Sequence, residues 1–142
     1  MDWARLFPAV NVTYTGSLIP FYFLILVTII GTIRGLIHIF PSDGGAHSIA
    51  GMDVNVDGGK NLIAIFAQWG TIQLLLALLD WLVILRYQFL VPTMLLVVVL
   101  EHVFRIAIGR LKRLEVNTPS PGTYGSYILL PLAIIAFVWS LL

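Results

Sequence analysis

Four apolar stretches, each about as long as a lipid bilayer is thick, constrain this chain more than any other feature. They cover residues 17–40, 61–85, 88–111 and 124–142. A hydrocarbon core of about 30 Å requires roughly 20 apolar residues in a helix. Because backbone amides in lipid must be hydrogen-bonded within the spanning element, each stretch predicts a transmembrane α-helix. The sequence therefore predicts an all-α integral membrane protein, a single four-helix bundle formed by residues 1–142.

The composition is typical of a chain whose solvent is lipid. Hydrophobic residues make up 59% of the chain and charged residues 11%, whereas a soluble domain carries roughly 25% charged residues. The formal net charge is +1, which gives no general basic surface for nucleic acid. The absence of cysteine excludes disulfides, thiolate metal sites and cysteine nucleophiles.

The connections between the stretches predict the topology. Only residues 86–87 separate the second stretch from the third, so these two helices form an antiparallel hairpin. Four helices place both termini on one side of the membrane and the first loop, residues 41–60, on the other. The basic residues of the loop side are Lys60, Arg110, Lys112 and Arg113, against Arg5 and Arg86 on the terminal side. The positive-inside rule then places the loops in the cytoplasm, in a multi-pass protein expected in a bacterial inner membrane.

The first loop is long for a compact bundle, and loops of this length usually carry function. Three apolar residues alternate with polar ones over residues 52–57, which indicates an extended piece with one face against the bundle. We therefore expect an ordered first loop that covers one end of the helices.

The same loop also resembles the opening of a calcium-binding loop. Asp53, Asn55, Asp57 and the glycine that follows match the pattern D-x-[DN]-x-[DN]-G. The twelfth position, which should supply a bidentate glutamate, is Ala64. The alternative is that Asp53 and Asn55 make turn contacts while Asp57 or Asn61 caps the second helix.

Ionisable residues inside two predicted helices are the strongest indication of a site. Arg34 and His38 are four residues apart and share one face of the first helix. Glu101 and Arg105 do the same on the third helix, with His102 beside the glutamate. Such residues are costly in hydrocarbon and usually face the bundle interior. Their spacing from the helix ends predicts a polar, ligand-binding pocket under the first loop.

Several other interpretations of these residues stay open at this point. Glu101 and Arg105 can form a purely structural ion pair, and the arginines can extend to the lipid headgroups. Two histidines on facing helices can ligate haem, but His38 and His102 differ in depth by about 11 Å. Asp80 lies toward the opposite interface, where we expect it to pair with Arg86. No cofactor is predicted, with calcium and haem as alternatives.

Three short features suggest a known family: Gly58-Gly59 before the second helix, the Arg86-Tyr87 link, and Arg105…Gly109-Arg110 at the end of the third helix. With them, residues 55–142 resemble small bacterial four-helix membrane proteins of the DoxX-like kind. The resemblance implies a helical bundle of ill-defined activity that associates with other membrane proteins. It transfers no catalytic residue.

The sequence contains no G-x-S-x-G, H-E-x-x-H or phosphate-binding glycine loop. We therefore expect a non-enzymatic accessory, structural or assembly subunit of a larger membrane complex. Gly31 and Gly35, four residues apart, would let a helix of another subunit or a second copy approach closely. The alternative is a small membrane enzyme or binding protein that holds an amphipathic lipid or quinone-like ligand in the polar pocket.

Overall fold

The computed structural model describes residues 13–114, 116 and 121–142, and within them it shows four long α-helices. These are α1 (Leu18–Ile39), α2 (Gly59–Leu85), α3 (Val91–Leu111) and α4 (Pro121–Trp139), with a 3-10 turn at Gln88–Leu90 before α3. All four helices are long and apolar enough to cross a membrane. The prediction of an all-helical protein with four helices long and apolar enough to cross a membrane is therefore confirmed for the described residues.

The helix starts follow from local chemistry. Ser17 caps α1, where its hydroxyl oxygen accepts a hydrogen bond from the Ile19 amide at 3.3 Å. Gly58 precedes α2 with a φ of 85°, a backbone conformation that glycine adopts without strain. The N-cap of α2 has no side-chain hydrogen bond, so the expectation that Asp57 or its neighbour Asn61 caps this helix is wrong.

Two helix pairs make up the bundle. α1 packs mainly on α2, α3 packs mainly on α4, and α1 also contacts both members of the second pair. The α1–α2 contact is close because glycines meet there: a Cβ at Gly35 would lie 3.1 Å from the Gly70 carbonyl oxygen. The sequence predicted that a helix of another subunit would approach α1 closely at Gly31 and Gly35. At Gly35, the helix that does so is α2 of the same chain.

The apolar core and the polar side chains occupy different halves of the bundle. The main cluster of buried apolar residues joins the first half of α1 to the start of α3 and the second half of α4, and it includes Leu24, Val91, Leu95 and Ala133. These four side chains are completely buried. The end of α1 and the end of α3, which carry the predicted polar residues, lie beyond this core. We call this half the loop end, because residues 40–58 also lie there.

The first loop is folded against the loop end of the helices. Residues 42–50 form successive turns, and Ala46, Ala50 and Met52 make a small buried cluster. The predicted alternation holds at Met52, which is 8% exposed, and at Val54, which is half-buried against the same cluster, whereas Val56 is 51% exposed. Residues 51–54 have no strand partner in the described part of the chain.

Asp43 organises the turns of this loop. Its two carboxylate oxygens accept hydrogen bonds from the Gly45 amide at 3.0 Å and the Ser48 amide at 2.7 Å. The Ser48 and Gly45 amides lower the pKa of Asp43 to about 2 from its ordinary 3.8. Because the pKa of Asp43 is lower in the folded protein, its ionised carboxylate stabilises the folded loop. This stabilisation is complete above pH 3.8 and is lost as the pH falls toward 2.

We predict that Asp43→Ala lowers the hydrogen-exchange protection of the Gly45 and Ser48 amides by roughly tenfold, since each loses a charged acceptor. In the unmodified protein, the same protection should fall between about pH 4 and pH 2. Asp57→Ala removes an equal charge from the same loop and serves as the control. Equal protection in the Asp43 variant and the control would contradict the prediction.

Candidate functional site

Two of the predicted arginines meet at a tryptophan that the sequence did not single out. The guanidinium carbon of Arg34 on α1 lies 4.8 Å from the ring centre of Trp69 on α2. The guanidinium carbon of Arg105 on α3 lies 5.3 Å from the same ring centre. Both distances allow cation–π attraction. Trp69 thus gathers charged residues from two other helices at the loop end.

Glu101 and Arg105 form an ion pair within α3, as their spacing permits. The Glu101 side chain is 33% exposed and that of Arg105 is 18% exposed. The Nη1 atom of Arg105 is buried and has no hydrogen-bond partner among the described residues. The pair is therefore structural in part, and it leaves Nη1 of Arg105 without an acceptor in this part of the chain.

His38 is held in one orientation by the first loop and by two aromatic rings. Its Nδ1–H donates to the Gly44 carbonyl oxygen at 2.7 Å. The imidazole stacks on Trp69 at 5.0 Å between ring centres, and Phe66 contacts it edge-on at 5.4 Å. A proton on Nδ1 leaves Nε2 as an acceptor in the neutral ring. This Nε2 is buried and has no partner among the described residues.

His102 is oriented in a similar way within α3. Its Nδ1–H donates to the Val98 carbonyl oxygen at 2.8 Å. His38 and His102 both line one apolar cavity at the loop end. The two histidines are thus brought to one space, although haem ligation stays a prediction that nothing in the structure tests.

The residues of the calcium-like pattern make turn contacts in the first loop. The Asn55 amide donates to the Asp53 carboxylate at 2.8 Å, and Asp57 is exposed. Across residues 13–114, 116 and 121–142, no group of three or more histidine, aspartate or glutamate residues is placed to hold a metal ion. The calcium interpretation stays a prediction, and the site described here does not depend on it.

Two cavities open beside the Trp69 cluster. The first, which we call the arginine cleft, has a volume of about 660 Å³ and is lined by Arg34, Arg105, Arg110 and Arg113 together with the first turns of α4. The second, which we call the apolar cavity, has a volume of about 420 Å³. Its walls are mostly apolar, and they include four isoleucines together with Phe66, Trp69 and Leu129. Both cavities share a wall at Arg34, Trp69, Gly122 and Ser126.

A third, smaller cavity of about 70 Å³ lies deeper between α1, α2 and α3. Asp80 and Gln73 of α2 line it together with Glu101. Asp80 is only 6% exposed, and one carboxylate oxygen has no partner among the described residues. The expected interfacial pair of Asp80 with Arg86 is therefore wrong, because α2 turns the carboxylate inward toward α3.

Helix α4 contributes to the site, although no pattern in the sequence indicated this. A Cβ at Gly122 would lie 3.3 Å from Nη2 of Arg34, so the arginine of α1 reaches the backbone of α4 at this glycine. The guanidinium of Arg110 contacts the Tyr127 ring, with 5.8 Å to its centre. For Trp69 a signal existed, since Phe66, Trp69 and Gln73 follow helical spacing on one face of α2. No comparable signal identified α4 as the wall of a cleft.

Comparisons of the chain with protein-family models, with curated proteins and with solved structures found no match. The resemblance to DoxX-like proteins therefore stays a prediction, and the site must be interpreted from its own geometry.

Proposed function

We propose that this multi-pass membrane protein binds an amphipathic ligand, a lipid or a quinone-like molecule, at the loop end of its helices. The observation that carries the proposal is the pair of adjoining cavities. One is lined by arginines and the other by apolar side chains, and the two share a wall at Arg34 and Trp69. An amphipathic molecule is divided in the same way, into a polar headgroup and a hydrocarbon chain.

The unpaired polar atoms at the cavities support a ligand over a closed structural network. Arg105 Nη1 and His38 Nε2 are buried without partners among the described residues. A buried polar group left without a hydrogen bond costs about 1 to 3 kcal/mol. A closed network would pair these atoms with each other, whereas a ligand headgroup would supply the missing partners.

Mass spectrometry of the protein purified in a mild detergent tests this proposal. We predict that an amphipathic small molecule remains bound, and that Arg34→Gln retains about tenfold less of it because a charged hydrogen bond is lost. Arg86→Gln removes an arginine beyond the other end of α2 and is the matched control. An unmodified protein that carries no amphipathic small molecule, or one that carries no more of it than Arg34→Gln does, would contradict the proposal.

The accessory or assembly role is a second proposal, and the same purification tests it. Its support is the large lipid-facing surface: in an 18-residue window of α2, only 11% is buried within the chain. The glycine contact at Gly35 no longer supports it, since α2 of the same chain occupies that position. A stoichiometric protein partner would favour this role, and a chain that purifies alone would count against it.

We further propose the predicted orientation, with both termini on one side and the loop end in the cytoplasm of a bacterial inner membrane. The loop end carries Arg110 and Arg113 beside the arginine cleft, which agrees with the positive-inside rule. Because the chain has no cysteine, Val56→Cys provides a unique label in the exposed loop. Labelling of this variant by an impermeant thiol reagent in intact cells would contradict the orientation.

A further inference from the structure

The arginine cleft narrows the class of ligand that the site would take. Its described lining includes four arginines and no aspartate or glutamate. Arginine stays protonated in proteins, so these charges are permanent. Glu101 pairs with Arg105 and offsets one of them. The cleft therefore has an excess of positive charge that a neutral quinone would leave uncompensated.

The positions of the inner arginines distinguish this cleft from a general basic membrane surface. Arg34 lies five residues before the end of α1, and Arg105 lies six residues before the end of α3. At 1.5 Å per residue, both Cα atoms lie roughly 8 to 9 Å inside the helix ends. Arginines at this depth need a specific partner, whereas Arg110 and Arg113 can reach the headgroup region directly.

The hydrogen-bonding groups favour a phosphate. The Arg34 side chain donates no hydrogen bond to any described residue, and its guanidinium rests on Trp69 and beside Gly122. Arg105 keeps Nη1 without a partner in the same part of the chain. Guanidinium groups match phosphate oxygens in charge and planar geometry. The first turn of α4, which lines the cleft at Gly122, adds the positive end of a 19-residue helix.

The apolar cavity defines the rest of the ligand. It adjoins the arginine cleft at Arg34 and Trp69 and extends along isoleucines of α1 and Leu129 of α4. Its volume of about 420 Å³ admits part of a hydrocarbon chain. His38 lines the same cavity, and its unpaired Nε2 would accept a hydrogen bond from a hydroxyl next to the phosphate.

From these observations we infer that the ligand is a long-chain lipid whose headgroup is a phosphate ester with a net negative charge. Its phosphate is held between Arg34 and Arg105, and its chain lies in the apolar cavity. This inference depends on the proposed function, because it specifies the headgroup of the amphipathic ligand.

Native mass spectrometry with short-chain lipids of matched length tests the inference. The protein in detergent is titrated with dioctanoyl phosphatidic acid, dioctanoylglycerol, dioctanoyl phosphatidylcholine and inorganic phosphate. We expect phosphatidic acid to bind at least about tenfold more tightly than each of the others. Arg34→Gln should remove most of this preference, while Arg110→Gln, at the mouth of the cleft, should weaken binding less.

Gly109→Leu provides a test that does not change the charge of the protein. Gly109 lines the arginine cleft, and a Cβ there would have no atom within 4 Å. The larger side chain should therefore occupy the cleft without disturbing the fold and should weaken phosphatidic acid binding about tenfold. Arg86→Gln again serves as the control and should bind like the unmodified protein.

The possible results separate the two proposals. Equal binding of phosphatidic acid and dioctanoylglycerol would overturn the phosphate inference and leave amphipathic ligand binding intact. Inorganic phosphate that binds as tightly as phosphatidic acid would show that the apolar cavity plays no part, and would overturn the lipid assignment. No binding of any amphiphile would overturn the proposed function itself. Unchanged binding in both Arg34→Gln and Gly109→Leu would place the lipid elsewhere.

Discussion

Gly70→Ala is expected to destabilise the folded bundle by about 2 kcal/mol, because it overpacks the close contact between α1 and α2 at this glycine. A Cβ at this position would lie 2.5 Å from the Cβ of His38 and 3.0 Å from the Gly35 carbonyl oxygen. Neither atom is the free end of a flexible side chain, so α1 and α2 must move apart. Thermal unfolding in detergent, followed by circular dichroism, measures this effect.

Gly31→Ala is the matched control for this prediction. Gly31 lies on the same face of α1 as Gly35, which contacts α2. A Cβ at Gly31, however, would be 4.0 Å from the Ala77 Cβ, an ordinary van der Waals distance. We expect this variant to be neutral or stabilised by up to about 1 kcal/mol, since alanine favours the helix over glycine. If both variants unfold at the same temperature, the α1–α2 contact described here is wrong.

Glu101→Ala is expected to cost about 2 to 3 kcal/mol of stability, because it leaves Arg105 without its carboxylate partner inside a predicted membrane span. The cost should be smaller than the roughly 3 to 5 kcal/mol for a fully buried pair, because the Glu101 side chain is 33% exposed. The loss should appear in the thermal unfolding of the detergent-solubilised protein. It should also increase the amount of Glu101→Ala chain that is degraded in cells.

The double variant Glu101→Leu and Arg105→Leu distinguishes a missing ion pair from a missing side chain. Replacing both partners with apolar residues removes the unpaired charge, so most of the lost stability should return. A double-mutant cycle should give a coupling free energy of about 2 kcal/mol between the two side chains. A single glutamate variant as stable as the unmodified protein would show that Arg105 finds another partner, such as a lipid phosphate.

Arg105 therefore has two roles that the experiments separate. Its ion pair with Glu101 contributes to stability, and its side chain also lines the arginine cleft, where the proposed phosphate would lie. Loss of the pair is measured by unfolding, whereas loss of the ligand contact is measured by lipid binding. Arg34 has no such pair among the described residues, and for that reason its substitution is the clearer test of binding.

Local spacing was enough to predict part of the candidate site. Residues four apart on a helix share a face, so the Glu101–Arg105 contact follows from the sequence. The cost of charge in hydrocarbon also indicated that Arg34 and His38 belong inside the bundle. The same reasoning was wrong for Asp80, since proximity to a helix end does not tell whether a side chain faces lipid or another helix.

By itself, the sequence determined that the chain forms four helices long and apolar enough to cross a membrane. It could do so because a long apolar run in lipid must satisfy its backbone hydrogen bonds internally. The tertiary structure alone decided that Trp69 lies against both arginines and that Gly122 of α4 lies beside Arg34. Helix neighbours depend on side-chain packing between segments far apart in the chain, and no local pattern encodes which faces meet.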